Sequence, residues 1–126
     1  MKHIFLLILL LLLAGCGSDS ATPTTSGDPA QVVEQYLQAK ITGDDAAIRP
    51  LLCAAKEADF EQEAASFDGV EAIIEGMTCQ REDDSDIVRC EGQIIAVYNG
   101  ENTPFVLGSY RVAQDDGVWK WCGEAG

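Results

Sequence analysis

Residues 32–52, VVEQYLQAKITGDDAAIRPLL, decide the fold, because they join a strongly periodic apolar pattern to a clear helix end. The apolar side chains recur at the spacing of one face of a helix. They are Val32, Val33, Tyr36, Leu37 and Ile41. This stretch therefore predicts an amphipathic helix that packs on the rest of the domain.

The flanking residues predict three helices in the first half of the domain. The first follows Asp28-Pro29, an N-cap with proline at the first helical position, and ends at Gly43. A short second helix is capped by Asp44-Asp45 and has Pro50 at or near its boundary. The Ala- and Glu-rich residues 54–67 predict a third helix.

From Val70 onward the pattern becomes that of antiparallel strands separated by turns. Strands are predicted over residues 70–81, 86–98, 104–113 and 118–122, with turns at Asp83-Asp84-Ser85, Asn99-Gly100 and Asp115-Asp116-Gly117. One face of the second strand is apolar, with Val88, Cys90, Ile94, Ala96 and Tyr98. The sequence therefore predicts an α+β domain, with N-terminal helices packed on one face of a four-stranded antiparallel sheet.

Two segments resemble a known superfamily. Residues 32–52 look like the opening helix, Gly-Asp corner and following helix of the nuclear transport factor 2-like (cystatin-like) superfamily. The late segment DDGVWKWC, residues 115–122, is similar to its closing strand. The resemblance implies a cone, formed by a sheet wrapped over the first helix, whose mouth can hold a pocket. Members include steroid isomerases, dehydratases and accessory domains without known catalysis, so the fold leaves function open.

The N-terminus predicts export and lipid attachment. Ile4 to Leu13 is an unbroken apolar run, shorter than the roughly 20 residues that a membrane-spanning helix needs. The motif Leu13-Ala14-Gly15-Cys16 at its end resembles the lipobox of bacterial lipoprotein precursors. Residues 1–15 are thus predicted to be a signal peptide cleaved between Gly15 and Cys16, with lipid on Cys16. The alternatives are a retained transmembrane helix and an ordinary secretory signal with a spare thiol.

The lipid on Cys16 defines the expected location and layout of the protein. Residues 16–28 are predicted to be the lipidated cysteine and a flexible tether, because Gly17 to Asp28 has no aromatic or large aliphatic side chain. Residues 29–126 form the domain. We expect it at the extracytoplasmic face of a bacterial membrane, on the cell surface or in the periplasm, and the sequence leaves open which membrane.

Composition excludes several classes of partner and chemistry. The chain has 21 acidic and 8 basic residues, one of which, Lys2, lies in the signal, so the formal charge from Cys16 onward is −14. Nucleic acid would repel such a domain. His3, the single histidine, also lies in the signal, which argues against imidazole catalysis and histidine-containing zinc sites. We expect no cofactor and no metal.

The domain retains an even set of cysteines, Cys53, Cys79, Cys90 and Cys122, which predicts two disulfides in an exported protein. Zinc knuckles and four free thiols are the disfavoured alternatives. A turn centred on Asp84-Ser85 places Cys79 opposite Cys90, which leaves Cys53 to pair with Cys122.

One observation opposes the second pair. Cys122 alternates with Trp119 and Trp121 along the last strand. Either that strand ends at Cys122, or the two tryptophans face away from the helices.

Five aromatic residues are candidates to line the pocket of the cone, although plain core packing is the alternative for each. They are Tyr36, Tyr98, Tyr110, Trp119 and Trp121. Catalysis would need a buried carboxylate such as Asp59 or Glu75, but no motif matches the catalytic positions of the superfamily's isomerases, so no catalytic residue is assigned. The acidic residues 83–86 and 115–117 are interpreted as solvated turns and not as calcium loops.

Three functions remain open. The leading hypothesis is a membrane-anchored, non-catalytic binding or accessory module whose ligand is a small apolar molecule or a protein. The second is an enzyme of the isomerase or dehydratase type. The third is a protein interaction module, including a homodimer through the outer face of the sheet.

Overall fold

The computed structural model describes residues 28–126, so the predicted signal peptide, Cys16 and all of the predicted tether except Asp28 lie outside the described residues. The helices are α1 (Pro29–Thr42), α2 (Asp45–Ile48) and α3 (Phe60–Ala64), with 3-10 helices at Arg49–Leu51 and Ala54–Asp59. The strands are β1 (Glu71–Arg81), β2 (Ile87–Tyr98), β3 (Glu101–Val106), β4 (Ser109–Asp115) and β5 (Val118–Glu124). Between residues 28 and 126, no helix combines the length and the apolar character needed to cross a membrane.

The predicted bounds of α1 are confirmed. Asp28 is the N-cap, and its carboxylate accepts a hydrogen bond of 2.9 Å from the Ala30 N–H. Gly43 ends the helix in the left-handed region, with φ of 65°. The predicted apolar residues of α1 are all buried beneath the sheet. Local signals therefore define this helix completely.

The prediction of one long third helix over residues 54–67 is wrong. Ala54–Asp59 is wound as a 3-10 helix, and only Phe60–Ala64 is α-helical. The disulfide of Cys53 and a hydrogen bond of 2.9 Å from the Ala54 N–H to Asp115 hold the start of this segment against the last hairpin. These distant contacts fix the first turn, and the local helix preference does not override them.

The sheet is antiparallel, as predicted, but has five strands instead of four. Its order is β1-β2-β4-β5, and β3 pairs with β2. The predicted third strand is split at Leu107-Gly108, yet both halves stay on the same side of β2, where the Leu107 N–H donates to Gly92 at 3.0 Å and Gly108 accepts from Cys90 at 2.9 Å. β3 and β4 are thus one kinked strand in space.

Three glycines meet at the level of this kink, on neighbouring strands: Gly76, Gly92 and Gly108. Gly92 has φ of +106°, and a Cβ there would lie 2.6 Å from the Glu75 carbonyl oxygen. Gly76 has φ of +64° and lies at a register shift between Glu75 and Thr78. Bulges and glycines at one level bend a sheet. This bend wraps the sheet around α1.

Two of the predicted turns have the backbone that tight hairpins require. Asn99 and Gly100 both have positive φ, of 52° and 81°, and so do Asp116 and Gly117, of 53° and 78°. The predicted inner face of β2 is buried, with the exception of Tyr98, which is 38% exposed at the end of the strand. The core therefore lies between α1 and this face of the sheet.

The structure contains both predicted cysteine pairs. Cys79 and Cys90 lie opposite each other on β1 and β2, with a Cα–Cα distance of 4.1 Å. Cys53 bonds Cys122 with a Cα–Cα distance of 5.3 Å. Both cross-links lie within one domain, one inside a hairpin and one between distant segments.

Both explanations expected for the alternation of Cys122 with the two tryptophans are wrong. The structure brings Cys53 to Cys122 in a third way. β5 continues beyond Cys122, and Trp121 is buried beneath the helices. Leu52 instead forms an isolated parallel bridge with Trp121, and the Cys53 N–H donates to the Trp121 carbonyl at 2.9 Å. Cys53 therefore approaches Cys122 from the open edge of β5.

Candidate functional site at the mouth of the cone

A cleft of about 210 Å³ opens between α1, the turn after α3 and the helix-covered face of the sheet. We call it the mouth cleft. Six of its ten lining side chains are apolar, and the other four are polar or charged. Its lining residues are Leu37, Lys40, Ser66, Phe67, Ile94, Phe105, Val106, Leu107, Tyr110 and Glu124.

A polar cluster adjoins the mouth cleft through Lys40. The Tyr36 hydroxyl donates a hydrogen bond to Oε2 of Glu63, and Nζ of Lys40 lies 3.1 Å from the same oxygen. The side chains of Lys40 and Glu63 are only 18% and 14% exposed. Lys40 also lies 5.6 Å from the centre of the Tyr36 ring. The cluster thus fixes α1 to α3 at the edge of the cleft.

Two tyrosines near the cleft remain protonated at neutral pH. Burial, with Glu63 beside the hydroxyl, raises the pKa of Tyr36 far above its ordinary value. Burial also raises the pKa of Tyr110, although a backbone hydrogen bond at Gly108 partly offsets the rise. Both groups are therefore neutral hydrogen-bond donors and not bases.

The five predicted pocket aromatics do not surround one cavity. The rings of Tyr36 and Trp121 stack at 3.8 Å, and both lie in the core. Trp119 is covered by the Arg81 guanidinium, 4.8 Å from the ring. Tyr98 is exposed and meets the edge of another aromatic ring. Tyr110 alone among the five lines the mouth cleft.

Sequence reasoning missed most of the cleft. Phe67 and Phe105, which meet edge to face at 6.2 Å, form part of its walls. Lys40 could have been found, because it lies four residues after Tyr36 on the same face of α1. Glu63 could not have been found from residue spacing, because its position depends on the break between the 3-10 helix and α3, which the sequence did not predict.

The two carboxylates considered for catalysis lie elsewhere. Asp59 pairs with Lys56 at 3.3 Å and is 46% exposed. Glu75 is exposed on the outer face of β1 and accepts from Gln93 at 3.4 Å. Neither side chain lines the mouth cleft.

The acidic turns have structural contacts. Ser85 Oγ accepts from the Ile87 N–H at 3.2 Å, and Asp115 accepts from Ala54. Within the described part of the chain, no group of three or more His, Cys, Asp or Glu side chains converges as metal ligands would.

Neither a protein-family model nor a curated protein sequence matches the chain. Among solved structures, a candidate ketosteroid isomerase from Shewanella frigidimarina is 19% identical, with a TM-score of 0.50 over 76% of this chain and 92% of that chain. A protein named as an NTF2 variant with five substitutions is 14% identical, with a TM-score of 0.50 over 76% and 94%. An NTF2-like protein of unknown function in nutrient uptake, from Rhodospirillum rubrum, is 20% identical, with a TM-score of 0.48 over 77% and 95%.

These identities are low, so the likeness concerns architecture and not activity. The shared architecture consists of N-terminal helices packed on an antiparallel sheet. The chain has a nuclear transport factor 2-like α+β fold.

Proposed function

We propose that the chain is an exported, lipid-anchored and non-catalytic module, and that it binds a small apolar ligand in the mouth cleft. In this account lipid on Cys16 holds the protein at the extracytoplasmic face of a bacterial membrane. The tether, residues 17–28, separates the domain from the lipid surface. Two disulfides within residues 28–126 support the exported location, since such bonds persist in oxidising compartments.

The mouth cleft is the observation that carries the binding proposal. Sites for drug-sized ligands measure about 300–1,000 Å³, whereas the cleft measures about 210 Å³. An apolar cavity of roughly 150 Å³ accommodates benzene. The ligand is therefore of the size of one aromatic ring or a short acyl chain.

The polar lining residues of the cleft suggest the polar end of the ligand. Lys40 is already neutralised by Glu63, so it favours no net charge on the ligand. The Tyr110 hydroxyl is a neutral donor. A ligand with a carbonyl or hydroxyl group at one end of an apolar body fits this combination.

The engagement of Glu63 argues against an acid–base enzyme. A general base must reach the proton that it removes, and Oε2 of Glu63 is already shared by the Tyr36 hydroxyl and the Lys40 ammonium. Glu124 also lines the cleft, but it is exposed to water. Neither carboxylate is arranged as a free, desolvated base.

A fragment titration tests the binding proposal. The purified, isotope-labelled protein is titrated with p-cresol, and amide shifts are followed by NMR. We expect saturable shifts around Phe67, Leu107 and Tyr110. Ser66→Trp, at an exposed position on the rim, should fill the cleft and abolish those shifts.

Thr78→Trp, at an exposed position on β1, is the matched control and should bind as the original protein does. Shifts that are absent, spread over the surface, or equal in the two variants would contradict a ligand site in the mouth cleft.

A further inference from the structure

Beyond the glycine bend the sheet has two outer strands. They differ in how well their free edges are protected against pairing with a further strand. β3 pairs with β2 on one side and has Pro104 in its middle, which lacks an N–H and so blocks a further strand. β1 is the other outer strand, and its residues Glu71–Glu75 pair regularly with β2 on one side only. They contain no proline.

α1 protects only the later part of the β1 edge. The Cys79 N–H donates to Oε1 of Glu34 at 3.3 Å, so a helix side chain occupies the edge there. The described residues provide no such contact to the backbone of Glu71–Glu75. The first five residues of β1 are therefore an open strand edge that ends at the Gly76 bulge.

An apolar groove of about 570 Å³ lies beside this edge. We call it the β1 groove. Ile73 is 56% exposed in the groove and pairs across the sheet with Ile95. Its apolar lining residues are Ile41, Val70, Ala72, Ile73, Ile95 and Val97. An open edge next to such side chains has both elements that strand addition uses, main-chain groups and side-chain pockets.

The charges around the β1 groove are acidic. Glu71 and Glu75 lie two residues before and after Ile73, so the three side chains share one face of β1. Both glutamates are exposed and line the groove, and neither forms a salt bridge within the described residues. The groove therefore presents an apolar centre between two negative charges.

This charge pattern distinguishes between two strands that could pair with the β1 edge, a second copy of β1 and a basic strand of another protein. A second copy of β1, paired antiparallel about Ile73, would place Glu71 of one copy opposite Glu75 of the other. Like charges directly opposite each other destabilise a strand pair. A strand with Lys or Arg at those positions would instead form two favourable cross-strand pairs.

We propose that the edge Glu71–Glu75 docks an extended segment of another protein, which adds to the sheet as an antiparallel strand. The segment has an apolar residue opposite Ile73 and a Lys or Arg two residues to each side. This surface is separate from the mouth cleft, so the protein can engage a partner chain and a small ligand at the same time.

Short synthetic peptides test this proposal with the purified protein. The probe has valine at its centre, lysine two residues away on both sides, and threonine elsewhere. We expect saturable NMR shifts confined to Glu71–Glu75 and the β1 groove. A peptide with glutamate in place of both lysines should bind more weakly, by roughly 2- to 30-fold.

A charge exchange makes the test specific. The double variant Glu71→Lys with Glu75→Lys should reverse the preference, so that it binds the glutamate peptide more tightly than the lysine peptide. The control, Glu57→Lys with Glu61→Lys, makes the same change in net charge at exposed helix positions. It should keep the preference of the original protein.

Backbone methylation separates strand addition from mere charge attraction. In an antiparallel pair, alternate N–H groups of the added strand point toward the sheet. N-methylation of that set should abolish binding, whereas methylation of the other set should leave it intact. Equal effects of the two methylations, an unchanged preference in the charge-exchanged variant, or self-association through β1 measured by light scattering would overturn the proposal.

Discussion

The ring of Tyr36 on α1 stacks on the ring of Trp121 on β5, with 3.8 Å between the ring centres and 12° between the planes. The Tyr36 hydroxyl also donates to Glu63 on α3. One side chain therefore connects the first helix, the last strand and the helix at the mouth of the cone. Nε1 of Trp121 is buried without a hydrogen-bond partner in the described residues, so the contact rests on ring packing.

Replacing Tyr36 with Phe should separate the two contributions of this side chain. The stacked ring remains, and the hydrogen bond to a charged acceptor is lost, which should lower the free energy of unfolding by about 1.5–3 kcal/mol. Tyr98→Phe is the control, because Tyr98 is 38% exposed, and should change it by less than about 0.5 kcal/mol. Urea unfolding measures both, and equal effects would contradict the bridging role.

Stability should fall at alkaline pH because of the buried tyrosines. A tyrosine in the unfolded chain ionises near pH 10, whereas burial raises the pKa of native Tyr36 and Tyr110 above that value. The native state then holds more protons than the unfolded state. The contribution of Tyr36 is fully present below about pH 10 and is lost above it, by about 1.4 kcal/mol per pH unit. The contribution of Tyr110 changes in the same direction.

The matching variant isolates the contribution of Tyr36. We expect urea unfolding between pH 8 and pH 11 to show that the unfolding free energy of Tyr36→Phe falls less steeply than that of the original protein. Above pH 10 the two slopes should differ by about 1.4 kcal/mol per pH unit. Identical slopes would mean that Tyr36 ionises as readily in the native protein as in the unfolded chain.

The bend of the sheet should depend on Gly92 far more than on Gly108. Alanine at Gly92 would place Cβ 2.6 Å from a backbone oxygen and in a left-handed conformation. We expect a loss of roughly 3 kcal/mol or more in unfolding free energy, or failure to fold. Gly108→Ala meets nothing within 4 Å, so its effect should stay within about 1 kcal/mol.

The two disulfides should differ in their contributions. Cys53–Cys122 closes a sequence separation of 69 residues, and Cys79–Cys90 closes one of 11. Loop-closure entropy gives about 4 kcal/mol for the longer loop and about 3 kcal/mol for the shorter one. Pairwise replacement by alanine, followed by urea unfolding, should reproduce this order. A larger loss from the hairpin pair would contradict it.

Most of the correct predictions about the fold depend on local sequence signals. The caps of α1, the Asn99-Gly100 turn and the cysteine register all depend on residues close in sequence or across one hairpin. The split of the third strand was missed, because it lies where Leu107 and Gly108 form hydrogen bonds to Gly92 and Cys90 on β2. The 3-10 winding of Ala54–Asp59 was missed, because a disulfide joins the preceding Cys53 to β5.

The candidate site was less predictable than the fold. Tyr110 was expected in a pocket and lines the mouth cleft. Glu63, Phe67 and Phe105 were not expected, because the bend of the sheet and the position of α3 bring them together. The residue pattern within one segment does not show which distant segments come together in the folded protein.

The proposed location of the domain and its proposed tether both depend on lipid attachment to Cys16. Intact-mass measurement of the protein extracted from host membranes tests it most directly. We expect a chain that begins at Cys16 and has the added mass of a diacylglyceryl group, and we expect Cys16→Ser to abolish that addition. A soluble product with an unmodified N-terminus, or a chain that keeps residues 1–15, would show that Cys16 does not anchor the protein.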